Sequence, residues 1–227
     1  MLLRRGTLQK WQGTIGTLLI LVLLGGCSHG QNNKAAVEAL NKRLNRDAVL
    51  LHILVGRVSS QCNPILAASD NPDPTKIAKY QAAQKAGLIT IAQDGPGFWK
   101  IGLINPDPKL AAVLQKVPHD VKGGCDSVLV GLLVASKTVV NLDNLQPITD
   151  QKSEAAFKWK WELQPDGVKL VNNLSDQERN EFNAHLEYSR GSTPDGSFNL
   201  ADMSASSRPR EGKKTLKKLG DGWAVDE

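Results

Sequence analysis

Phe157-Lys158-Trp159-Lys160-Trp161-Glu162-Leu163 alternates large apolar and charged side chains without a break. A period of two is the mark of a strand with one face buried and the other in water. It predicts an antiparallel sheet as the frame of the C-terminal half. Upstream, Val128 to Ala135 is an unbroken apolar run suited to a central strand, and Thr138 to Leu142 continues the sheet. Downstream, Pro165-Asp166-Gly167 reads as a turn, after which Val168 to Val171 can pair back. Ser175-Asp176-Gln177-Glu178 is a capping box opening a helix to about Arg190, closed by Gly191. Residues 191–214, rich in Ser, Gly, Pro and charge, read as a long loop. Leu216 to Leu219 and Trp223 to Val225 flank Gly220-Asp221-Gly222 as a final hairpin.

The first half reads differently. Val37, Leu40, Leu44 and Ala48 recur at three and four residues, which predicts a helix from Lys34 to about Asp47. Val49 to Val58 is nearly all apolar and fits either an extension of that helix or a buried strand. Asp73-Pro74 caps and starts a second helix, with Ile77, Tyr80 and Ala83 inward and Gly87 at its end. Leu88 to Ala92 and Phe98 to Ile104 form strands around the loop Gln93 to Gly97. A third helix is expected from Asp107-Pro108, burying Leu110, Val113 and Leu114. The helix-plus-hairpin from Pro74 to Ile104 resembles a winged-helix unit. The fold class expected is thus α+β: a helix-rich N-terminal half with a β-hairpin, then an antiparallel sheet plus one helix. The expected division is 1–26, 27–33 as a tether, 34–120 winged-helix-like and 121–227 sheet-rich.

Composition bounds the function. With 41% hydrophobic and 22% charged residues the chain is of globular type, neither collagenous nor wholly disordered. The formal charge is +5. Residues 1–26 hold three basic residues (Arg4, Arg5, Lys10) and no acid, leaving 25 basic against 23 acidic residues from Cys27 on. The excess therefore belongs mainly to the leader and gives no reason to expect nucleic acid as a partner.

That leader has a basic start, a ten-residue apolar core from Ile15 to Leu24, and an exit of small residues. This is the plan of a secretory signal, with a core shorter than the ~20 residues of a membrane span. Thr7 sits where a twin-arginine signal prefers an aromatic, which favours the general secretory route. Leu24-Gly25-Gly26-Cys27 resembles the lipobox of bacterial lipoprotein precursors. The resemblance implies cleavage before Cys27, a diacylglycerol thioether on its sulfur and acylation of its new amino group. It places the mature chain in a bacterial cell envelope, anchored to the membrane through lipid. Ser28, where aspartate would favour inner-membrane retention, points to an outer membrane and the periplasm if the organism has two membranes.

With Cys27 lipidated, Cys62 and Cys125 remain. In an oxidising envelope they most simply form one disulfide, the alternative being two buried thiols. The bond would close a loop of about 60 residues, worth roughly 4 kcal/mol in the chain-entropy model.

Signatures of chemistry are sparse. His29, His52, His119 and His185 show no metal-ligand spacing, and no phosphate loop, nucleophile elbow or EF-hand is present, so neither metal nor cofactor is expected. His119-Asp120 before Gly123-Gly124-Cys125 suggests a Cys–His pair, but a loop pinned by a disulfide explains it as well. The Trp159/Trp161 stripe fits a stacking surface for glycan or lipid, and fits better the core face of a strand. Arg208, Arg210, Lys213, Lys214, Lys217 and Lys218 form a basic run that suits a solvated face or an anionic surface. The expected function is a non-catalytic envelope lipoprotein that binds a protein partner or supports a complex. The alternatives are a glycan- or lipid-binding lipoprotein using the tryptophans, and a periplasmic hydrolase with an unrecognised site.

Overall fold

The computed structural model describes residues 33–59, 66, 73–105, 111–116 (backbone only), 125–189, 197–203 and 207–226. Nine strands, mostly antiparallel, dominate the described residues: β1 (Val49–Val58), β2 (Ile89–Gln93), β3 (Trp99–Leu103), β4 (Ala111–Lys116), β5 (Asp126–Thr149), β6 (Lys152–Leu163), β7 (Leu186–Tyr188), β8 (Arg210–Leu219) and β9 (Gly222–Val225). Hydrogen-bonded neighbours run β2-β3-β1-β5-β6-β8-β9, with β4 also on β5 and β7 also on β1. Four α-helices accompany them: α1 (33–44), α2 (Ala78–Lys85), α3 (Pro165–Asn173) and α4 (Asp176–Phe182).

The helix-rich first half is therefore corrected. Four of the nine strands lie before residue 120. Val49–Val58 is a strand because it pairs along almost its whole length with β5, Leu51 on Leu132 and Val55 on Val128. Where a third helix was expected, residues 111–116 are β4, laid on β5 with Ala111 opposite Leu132 and a bulge between Val113 and Gln115. A short apolar run carries no preference of its own, and the neighbouring strand decides it. The start of that expected helix, 107–110, lies outside the described residues.

Two further corrections follow from close packing. Pro165-Asp166-Gly167 opens α3 instead of turning a hairpin. Pro165 occupies the first turn, where its missing N–H costs nothing, and Asp166 follows it. Gly167 is required there because a Cβ would lie 2.2 Å from the carbonyl oxygen of Val134. The helix expected to reach Arg190 ends at Phe182 and gives way to β7, which pairs with the first residues of β1.

Other expectations hold in part or in full. α1 buries the expected Leu40 and Leu44, with Ala36 rather than the half-buried Val37 completing the face, and gives way to a 3-10 turn at Asn45–Asp47. Every second residue of β6 from Ser153 to Trp161 is buried. The Ser175/Glu178 capping box is complete: the Ser175 hydroxyl accepts from the Glu178 N–H, and the Glu178 carboxylate accepts from the Ser175 N–H. Asp73 caps the 3-10 turn before α2 through the Thr75 N–H. The β2–β3 hairpin turns at Asp94 to Phe98, but β3 is also zipped to β1, so it is an integral part of the large sheet rather than a free wing. The final hairpin pairs Leu216 with Val225 and Leu219 with Gly222.

The chain divides into two compact units, neither of them a single stretch of sequence. One comprises 41–141 and 158–212, the other 1–40, 142–157 and 213–227; they are called here the large and the small unit. β5, β6, β8 and α1 each run through both.

Candidate functional site

Cys27, Cys62 and His119 lie outside the described residues. Cys125 is 3% exposed, with its Sγ 3.5 Å from the Ser59 hydroxyl, and it is disulfide-bonded. Its partner also lies outside the described residues.

Trp159 and Trp161 sit together in the large unit, edge to face with centroids 6.0 Å apart. They are 5% and 1% exposed, so neither ring offers a stacking face to solvent. The Lys137 ammonium lies 4.4 Å from the Trp159 centroid and 5.1 Å from that of Trp161. Phe198 packs edge-on against Trp161. Lys137 is itself only 3% exposed, and Asp47 stands 3.7 Å from its nitrogen. A buried ammonium needs a carboxylate and polarisable ring faces to offset its lost hydration, and this site supplies both.

A second cluster in the large unit has no sequence signature. His52 of β1 donates through its Nδ1–H to the Glu187 carboxylate of β7 at 2.9 Å. Its Nε2 is buried without a hydrogen-bond partner among the described residues. Burial lowers the pKa of Lys79, against the pull of Glu187. Burial, and then the Lys79 charge, lowers that of His185. Tyr80 is pushed up to about 12 by burial. Burial thus disfavours the charged form of both His185 and Lys79, and the Lys79 charge disfavours a second cation at His185. The space beside it is small: a cleft of about 200 Å³ between α2 and α4, lined by His185, Phe182 and Glu181. That is less than a drug-sized ligand fills. The Lys85 ammonium bridges both oxygens of Glu178 at 2.5 and 2.7 Å along its edge. That bridge, with the Ser175 N–H, holds the Glu178 carboxyl down at about 2.

The larger cleft belongs to the small unit and measures about 500 Å³. It opens where two hairpin tips lie side by side, β5–β6 and β8–β9, tied by the Lys218 N–H donating to the Gln151 carbonyl at 2.8 Å. Leu145, Pro147, Ile148 and Trp223 give it an apolar wall; Asn33, Asp150, Ser153 and Lys218 give it a polar one. Lys152 and Asp226 close an ion pair nearby at 2.5 Å. This combination, apolar walls with a few polar groups, is the usual make-up of a binding site. The sequence carried no sign of it: the exposure of Ile148 and Leu219 at the two tips is seen only in the fold.

Among the described residues no group of three His, Cys, Asp or Glu is placed to hold a metal ion, and no helix is long and apolar enough to cross a membrane. No known family model matches the chain, and neither a curated protein nor a solved structure does.

Proposed function

We propose that the chain is a lipid-anchored lipoprotein of a bacterial cell envelope, and that its mature part is a non-catalytic binding or structural module. The observation that carries this reading is the order basic start, ten-residue apolar core, then Leu24-Gly25-Gly26-Cys27. Glycines at the exit let the backbone lie flat in a peptidase groove, and a thiol is the one nucleophile there able to form a thioether. One acyl chain holds a protein only weakly, whereas two or three make a stable anchor without help from the fold. The Ser28 neighbour favours an outer membrane facing the periplasm. The mature domain then serves by presenting its surface to an envelope partner or to lipid. The glycan-stacking alternative gains nothing from Trp159 and Trp161, whose rings are covered by protein.

Metabolic labelling with a fatty acid tests the reading. The wild-type chain takes up label and Cys27→Ser does not. Equal label in the variant would sink it.

A further inference from the structure

We infer that the hairpin-tip cleft of the small unit is the face the protein turns to its own membrane, where it meets the boundary between lipid headgroups and acyl chains. This rests on the lipoprotein reading and adds which surface meets the bilayer and through which residues.

Reach is the first argument. Asn33, at the start of α1, lines the cleft. Cys27 precedes it by only a few residues, and even a fully extended chain of that length spans no more than about 20 Å. With the acyl chains of Cys27 in the bilayer, the cleft mouth stays within that distance of the membrane surface.

The second argument is what the mouth displays. Ile148, in the cleft lining, is 56% exposed; Leu219, at the other tip but outside that lining, is 59% exposed, and both belong to the four large hydrophobic residues that are exposed among those described. Trp223 stands across the strand pair from Lys218, with its ring partly open to the cleft. Aromatic rings favour the headgroup level, where an apolar body and a polar N–H are both satisfied. Lys218, which lines the cleft, can lay its stem along apolar surface while its ammonium reaches phosphate.

Charge refines the claim. Asp150 and Asp221 occupy the same two turns, and acids and bases nearly balance over the small unit. The cleft is therefore no electrostatic magnet for anionic lipid. Contact depends on the anchor and on apolar insertion, so it should persist on uncharged vesicles and change little with salt.

The test uses the mature lipidated protein, reconstituted in phosphatidylcholine vesicles whose acyl chains carry bromine, a short-range quencher of indole emission. Its tryptophans are Trp99, Trp159, Trp161 and Trp223. Quenching should be evident, and Trp223→Phe should remove more than half of it. Ile148→Asp, a change in an exposed side chain that leaves the core alone, should reduce it at least twofold. Quenching unchanged in both variants, or absent from protein whose mass includes the lipid, overturns this inference and leaves the anchor standing. A mass without diacylglycerol at Cys27 overturns the lipoprotein reading, and this inference with it.

Discussion

Tyr80→Phe removes a single oxygen and should cost the large unit a measurable part of its stability. Opposite β5, β1 is paired among the described residues by β7 at Val49 to Leu51 and by β3 at Gly56 to Val58. Between these two pairings the Leu54 N–H points into protein rather than water. It donates to the Tyr80 hydroxyl of α2 at 3.2 Å. Tyr80 is fully buried and Leu54 is 1% exposed, so no solvent can replace the lost acceptor. Leaving one buried donor unsatisfied costs about 1–3 kcal/mol. For a chain of this size a loss of about 2 kcal/mol lowers Tm by roughly 4–8 °C.

Urea unfolding gives the value directly: the midpoint should fall while the slope stays constant. Hydrogen exchange gives the location, since the Leu54 amide should exchange faster in the variant than its neighbours do. The phenol adds a signature in pH. Its pKa is raised to about 12 in the folded chain, above its ordinary 10.0, so its contribution is complete below pH 10 and is lost as pH climbs toward 12. Tyr80→Phe should lack that alkaline loss. An unchanged midpoint with unaltered Leu54 exchange would refute the view that this hydroxyl satisfies the Leu54 N–H.

Three other outcomes are expected. His185 has a lowered pKa, so its contribution is whole above the ordinary 6.5 and is lost as pH falls below it; His185→Gln should flatten that acid limb in a pH series of thermal melts. Gly56 has φ +114°, and a Cβ there would lie 2.2 Å from the Asp126 carbonyl oxygen, so Gly56→Ala should cost more than about 1 kcal/mol in a denaturant titration and loosen the β1–β5 pairing. We propose Cys62 as the partner of Cys125; peptide mapping without reductant should yield that cross-linked pair, and a peptide joining Cys125 to Cys27 would refute it.

How far the sequence could be read depended on whether a segment's fate was local. The β6 alternation, the Ser175 capping box, the Asp73 cap and the Gly-rich hairpin turns are decided within a few residues, and each was legible. Residues 111–116 were not, because nothing in them prefers strand to helix. The edge of β5 at Val128 to Leu132 recruits them, and that edge is set up from elsewhere in the chain. Pro165-Asp166-Gly167 fits both a turn and a helix start; the close approach to Val134 chooses the second. β7 escaped notice because a three-residue strand has no period to read, and β1 supplies its register. The polar cluster was hidden for the same reason. His52, Lys79, His185 and Glu187 are scattered along the chain, and only the pairing of β7 on β1 and the packing of α2 against α4 bring them together.

The large unit's most chemically capable side chains are engaged in holding it together. Lys137 is held between Asp47 and two indoles, where removing one partner of a buried charge costs about 3–5 kcal/mol. Tyr80 accepts from the Leu54 N–H, and His52 is tied to Glu187. Trp161 anchors Phe198 and Tyr188 at 5.5 and 6.4 Å. The aromatic stripe that looks most like a binding surface in the sequence is thus a packing element. The small unit presents the opposite economy: apolar side chains stand in solvent at both hairpin tips, a position that weakens solubility and gives the fold nothing in return. Exposed apolar groups at turns are explained most directly by a surface that covers them. On the proposed reading, in which Cys27 carries the lipid a few residues before Asn33, the nearest such surface is the bilayer that holds the tether.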